Sequence, residues 1–105
     1  METLEEKIYV GEIGKVFKFV FKDTKTKQVM DISDGAITIV FEKQAGDTVS
    51  KPGIFFTDGK DGAACYVTES GFLDISGYWR AQGNLVTNDG SFYSTLVRFE
   101  VEDIL

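Results

Sequence analysis

The segment Val16-Phe17-Lys18-Phe19-Val20-Phe21-Lys22 decides the fold of this chain. Its phenylalanines recur at every second position, and lysines occupy two of the positions between and after them. Successive side chains of a β-strand point to opposite faces of a sheet, so this alternation predicts a strand with one buried and one solvated face. We therefore place Phe17, Phe19 and Phe21 in the core and Lys18 on the outer face.

The same period of two appears in later segments, over 36–43, 78–87 and 92–101, and a further strand is predicted around residue 66. We take 92–101 as one continuous strand, which puts Phe92 on the face opposite to Phe99. The inward positions of these strands complete the predicted core, which comprises Phe17, Phe19, Phe21, Ile37, Ile39, Phe41, Tyr66, Trp79, Val97 and Phe99.

Composition and turn signals give the fold class. Of the 105 residues, 41 are Val, Ile, Thr, Phe, Tyr or Trp, which favour strands, and the eleven glycines supply turns. Asp89-Gly90 is a hairpin signal. About seven strands with turns every 8–12 residues predict an all-β, immunoglobulin-like antiparallel β-sandwich. We expect one domain, with residues 1–12 as an N-terminal arm or first edge strand and 13–105 as the sandwich.

The net charge and the residue types that the chain lacks argue against several classes of function. Eleven Lys and Arg against 17 Asp and Glu give a net charge of −6, which disfavours binding to nucleic acid or to an anionic membrane. The absence of histidine excludes Ser-His-Asp and Cys-His nucleophile systems within the chain, and the single cysteine, Cys65, cannot form an intrachain disulfide. We expect no enzymatic activity, no cofactor and no metal.

Two charged segments have a structural and a functional interpretation. Asp58-Gly59-Lys60-Asp61-Gly62 lacks the acidic spacing of an EF-hand-type calcium loop and predicts a turn. The lysines between Lys15 and Lys27 indicate a solvated sheet face, or edge lysines that discourage pairing with other strands. A contact patch for an acidic partner is the alternative.

Fourteen aromatic residues exceed what one small core needs. Because adjacent side chains face opposite sides, either Phe55 or Phe56 lies outside the core unless a bulge intervenes. Exposed phenylalanines are typical interface anchors, although loops folded over that face would also cover them. The docking candidates are Phe55, the loop residue Phe72, Phe92, and the N-terminal residues Leu4, Ile8 and Tyr9.

Three segments carry a resemblance to a known family. They are 14–21 with 29–41, then Gly77-Tyr78-Trp79-Arg80-Ala81-Gln82-Gly83, then 89–94 with 97–101. A G-x-W-x-x-x-G strand followed by a DG…YS…F-x-V strand resembles the N-terminal immunoglobulin-like domain of baseplate upper proteins from phages of Gram-positive hosts. The resemblance covers about residues 13 to 101.

This resemblance implies a structural attachment module of a tailed-phage virion without catalysis, which binds other virion proteins and forms a ring or trimer in the particle. Members of that family usually continue into a fibre or receptor-binding region, whereas this chain stops at Leu105. A place in the baseplate, tail, neck or capsid decoration therefore stays open. The alternative is a carbohydrate-binding or cell-surface adhesion module that uses solvent-facing Tyr or Trp side chains as a sugar platform.

Overall fold

The computed structural model describes residues 2–4 and 6–105, and this part of the chain forms ten β-strands joined by turns and loops. The strands are β1 (Glu2–Thr3), β2 (Ile8–Tyr9), β3 (Val16–Val20), β4 (Ala36–Glu42), β5 (Thr48–Pro52), β6 (Ile54–Phe55), β7 (Ala63–Val67), β8 (Gly77–Thr87), β9 (Gly90–Tyr93) and β10 (Val97–Glu102). Seven of them have four or more residues, and the other three have two. No helix that could span a membrane is found among the described residues.

The strands form two sheets. The large sheet has the order β1-β10-β8-β4-β5, with β2 also paired to β10 and β9 paired to β8, and the small sheet has the order β3-β7-β6. Consecutive strands repeatedly change sheet, and the paired strands are antiparallel except for β1 and β2, which run parallel to β10. This is the immunoglobulin-like antiparallel β-sandwich that the sequence predicted.

The core lies between the two sheets. All ten predicted core residues are buried, with Phe19, Phe21, Ile39 and Phe41 at most 1% exposed. Phe41 is central, since its ring lies within 6.4 Å of five other aromatic rings, those of Phe17, Phe19, Tyr66, Phe72 and Phe99. Such edge-to-face contacts add to the free energy of apolar burial. The face chosen for each strand from its alternation is therefore the face that contacts the core.

The N-terminal residues lie along the edge of the large sheet and are not a free arm. Ile8 pairs with Val101, Tyr9 pairs with Glu102, and the backbone N–H of Leu4 donates to the carbonyl of Arg98. The parallel pairing turns Ile8 into the core, where it is 1% exposed. Of the predicted arm, Met1 and Glu5 lie outside the described residues.

The chain crosses from the large to the small sheet at Pro52 and Gly53. The N–H of Gly53 donates to the carbonyl of Ile37, and an added Cβ on Gly53 would lie 2.6 Å from the Cγ2 of Ile37, so a side chain does not fit there. Pro52 lies on the β5 edge, as proline in a strand requires, because its missing N–H faces away from β4.

The last predicted strand is two strands. Residues 94–96 separate β9 from β10 and do not continue the strand. The inward parity changes across this break, since Phe92 and Val97 both turn towards the core while Tyr93 is 65% exposed. At the preceding hairpin the strand ends Thr87 and Gly90 are paired across Asn88-Asp89, so Gly90 begins β9 rather than lying within the turn.

Candidate functional site

The outer face of the small sheet carries a surface that we call the small-sheet patch. It consists of Val16, Lys18, Ile54, Phe56, Cys65 and Val67. Strand pairing sets these side chains side by side, because Val16 is opposite Val67, and Cys65 lies between Lys18 and Ile54. Val16, Ile54, Phe56 and Val67 are between 39% and 57% exposed. An apolar cluster of this kind on a small domain is typical of a protein-contact surface.

Lys18 and Phe56 make the middle of the patch. The Nζ of Lys18 lies 4.5 Å from the centroid of the Phe56 ring, a cation–π distance. Cys65 and Ala63 face outward, since Ala64 and Tyr66 face the core, yet both are at most 5% exposed. Lys18 is paired opposite Cys65, and the N–H of Phe56 donates to the carbonyl of Ala63, so the two small side chains have larger neighbours on the outer face. Burial also raises the pKa of the Cys65 thiol, so the thiol is a neutral packing group at neutral pH.

A second exposed region lies at the end of the sandwich where the β4–β5 turn meets the loop before β8. Lys43, Asp47, Asp74 and Ile75 are among the residues that line an open depression of about 720 Å³. The Nζ of Lys43 lies 2.9 Å from the Oδ2 of Asp74 and 5.5 Å from the centroid of the Trp79 ring. Two of the three charged side chains at this depression, Lys43 and Asp74, are therefore already paired with each other.

The outer face of the large sheet is mostly polar and has two exposed tyrosines. Tyr78 is 67% and Tyr93 is 65% exposed, and Tyr93 lies opposite Asn84 on β8. Asn84 lies six positions after Tyr78 on the same strand, about 20 Å away, so the rings of Tyr78 and Tyr93 do not form one platform. Between them, Arg80 donates to the Oε1 of Glu42, and this hydrogen bond lowers the pKa of the Glu42 carboxyl.

The acidic turn 58–62 uses its carboxylates within the turn. The Oδ1 of Asp58 accepts the N–H of Lys60 at 2.9 Å. The Oδ1 of Asp61 accepts the N–H of Ala63 at 3.0 Å, its Oδ2 accepts the hydroxyl of Thr57 at 2.8 Å, and these bonds lower the pKa of Asp61. Among the described residues no group of three or more Cys, Asp or Glu side chains is arranged to hold a metal ion.

The predicted docking residues do not form one surface. Ile8 and Phe72 are buried, at 1% and 7% exposed, and are therefore wrong as anchors: Ile8 is turned inward by its pairing with β10, and Phe72 stacks on Phe41 with ring centroids 4.7 Å apart. Leu4, Phe55 and Phe92 are partly buried against the core. Tyr9 is 37% exposed, away from the small-sheet patch.

Sequence reasoning identified the Phe55/Phe56 pair but chose the wrong member. The N–H of Phe56 donates to the carbonyl of Ala63, which continues the β6 pairing and turns Phe56 outward. Val16, Ile54 and Val67 were also missed. The signal for Val16 was present, because it shares the outer parity of Lys18 on β3.

Comparisons with known proteins support the fold but assign the chain to no family. No protein-family model and no curated protein sequence matches the chain. Among solved structures, CopC from Methylosinus trichosporium OB3b is similar, with a TM-score of 0.52 and 14% sequence identity, over 94% of this chain and 86% of CopC. This likeness supports the sandwich fold.

Proposed function

We propose that this chain is a structural attachment module of a tailed-phage virion, and that it binds another virion protein through the small-sheet patch. The observation that carries the proposal is the exposed apolar cluster of Val16, Ile54, Phe56 and Val67 on a rigid three-stranded sheet. Covering such a cluster removes apolar surface from water at about 25 cal/mol per Å², which is the main driving force of protein association.

The resemblance to the immunoglobulin-like domain of phage baseplate upper proteins supports the same assignment. The segments that carry it lie in β3 and β4, in β8, and in β9 and β10, so they contribute to both sheets of the sandwich. The first of them also supplies Val16 and Lys18 to the small-sheet patch. Repeated copies in a ring or trimer are part of the proposal.

Mass spectrometry of purified phage particles tests this function. Particles are purified from induced lysates of the strain that carries the gene, and their proteins are quantified against a known capsid protein. We expect the chain at a fixed stoichiometry to the capsid protein, and immunogold labelling at one location on the particle. A chain found only in the soluble fraction of the lysate would overturn the proposal.

A carbohydrate-binding or adhesion module is the second candidate, because Tyr78 and Tyr93 present exposed rings on the large sheet. Trp79 is 2% exposed and supplies no platform. A glycan array tests this candidate with Tyr78→Ala and Tyr93→Ala as matched variants. Binding that either substitution removes would favour adhesion over virion attachment.

A further inference from the structure

The outer edge of β3 is an unpaired strand edge. The backbone groups of the odd-numbered residues point towards β7. At the two ends of the strand, the carbonyl of Lys15 accepts the N–H of Thr68, and the N–H of Phe21 donates to the carbonyl of Gly62. Backbone groups of a strand alternate in direction, so the even-numbered residues of β3 point the other way. On that side the carbonyl of Val20 accepts the N–H of Thr95 at 3.4 Å, and among the described residues no strand pairs there.

The edge at the other side of the molecule is built differently. β5 is the last strand of the large sheet, and its last residue, Pro52, offers no N–H to an approaching chain. β3 has no proline in its five residues, about 17 Å, and the N–H groups of Val16 and Lys18 point outward, while its Val20 end is already contacted by Thr95. The two edges therefore differ in their capacity to accept another strand.

We propose that the β3 edge takes up an extended segment of a different protein chain, which adds a fourth strand to the small sheet and places an acidic side chain beside Lys18. Strand addition supplies backbone hydrogen bonds, and alternate side chains supply specificity. On the inner face the added residues would neighbour Phe17 and Phe19, so apolar side chains fit there. On the outer face they would neighbour Val16 and Lys18, the one charged residue of the small-sheet patch.

A second copy of this chain is a poor occupant. A two-fold antiparallel pairing of β3 with its copy, centred on the strand, would place two Lys18 side chains directly opposite each other on one face. Like charges directly opposite on a sheet are destabilising. Each copy also carries a net charge of −6, which adds long-range repulsion. A segment with one carboxylate opposite Lys18 avoids the like-charge pair, and its single charge is repelled far less by the chain than a second copy of charge −6.

The inference deepens the proposed function, since it names the chemistry of the partner segment at the same sheet. Its test uses capped synthetic peptides of sequence Ser-Thr-Val-Glu-Val-Thr-Ser and, as the charge control, Ser-Thr-Val-Lys-Val-Thr-Ser. Each peptide is titrated at millimolar concentration into the ¹⁵N-labelled chain and followed through the backbone amide resonances.

We expect the glutamate peptide to shift the amides of Val16, Lys18 and Val20, and the lysine peptide to bind at least several-fold more weakly. Val16→Pro removes an outward N–H without breaking a bond to β7 and should abolish the shifts. The matched control is Ser50→Pro, which makes the same change on the β5 edge and should leave binding intact. Lys18→Glu keeps the backbone unchanged and should invert the preference between the two peptides.

Shifts spread over the surface, equal binding of both peptides, or binding that survives Val16→Pro would overturn the proposal. Concentration-dependent dimerisation that Val16→Pro removes would also overturn it, in favour of a second copy. These outcomes are separate from the particle composition that tests the proposed function. The chain can be a virion protein without strand addition, and strand addition can occur with a partner outside a virion.

Discussion

The backbone N–H of Gly83 donates a hydrogen bond of 2.8 Å to the side-chain Oγ of Ser94. Ser94 in turn donates its N–H to the carbonyl of Gly83 and its hydroxyl to the carbonyl of Thr95. A side chain thus replaces a backbone partner at the point where β9 has ended and β10 has not begun. This contact holds the break that lets both Phe92 and Val97 face inward.

Replacing Ser94 by alanine should destabilise the domain by about 1–3 kcal/mol, because the buried N–H of Gly83 would lose its acceptor. The matched control is Ser50→Ala, since Ser50 is exposed on the β5 edge and its loss should change stability by less than about 0.5 kcal/mol. Urea denaturation followed by tryptophan fluorescence measures both. Equal midpoints for the two variants would contradict the role given to Ser94.

The sequence predicted the core because core and outer residues alternate strictly within β3, β4 and β8. It failed for Phe92 because the change of parity depends on a contact between residues eleven positions apart. It failed for Ile8 because burial there comes from a parallel pairing with Val101, which local alternation does not encode.

The small-sheet patch was not foreseen for a related reason. Lys18 marks the outer face of β3 as solvated, and only the pairing of β3 and β6 with β7 shows that its neighbours are apolar. The crossing at Gly53, where the chain leaves one sheet for the other, brings β6 beside β7 and places Phe56 next to Ala63. Strand pairing within the small sheet, rather than local pattern, sets this site.

Trp79→Ala should unfold the domain or nearly so. Trp79 is 2% exposed, contacts the rings of Phe72 and Phe99, and donates its indole N–H to the carbonyl of Ile75 at 3.2 Å. Truncating a buried aromatic side chain costs about 3–5 kcal/mol. Tyr78→Ala is the control, because the neighbouring side chain is exposed. Circular dichroism melts should show a large loss for the first variant and almost none for the second.

Phe56→Ala should expose the Cys65 thiol. Lys18 is paired opposite Cys65, its Nζ lies over the Phe56 ring on the same outer face, and burial raises the pKa of the Cys65 thiol. Removing the ring should therefore lower that pKa and increase the rate of reaction with Ellman's reagent several-fold at fixed pH. Val67→Ala trims the same patch without uncovering Cys65 and should leave the rate unchanged. The same rate in both variants would show that something else covers the thiol.

Replacing Ser33 by alanine should raise the pKa of the Asp31 carboxyl part of the way towards its ordinary value. Its Oδ1 accepts the Ser33 hydroxyl at 2.6 Å and the Ser33 N–H at 3.0 Å, and these bonds lower the Asp31 pKa below the ordinary value of 3.8. Because the folded pKa is lower than the unfolded one, this carboxylate stabilises the fold above pH 3.8 and the stabilisation is lost as the pH falls through the folded pKa.

Carbon-detected NMR titration of the wild type and of Ser33→Ala measures the Asp31 pKa directly. We expect an upward shift in the variant, which keeps the N–H bond and so should not regain the full ordinary value. Asp31→Asn removes the titrating group and should flatten the decline of unfolding free energy below pH 3.8, because the unfolded state then takes up one proton fewer in this range. An unchanged Asp31 pKa in Ser33→Ala would assign the low value to the backbone bond alone.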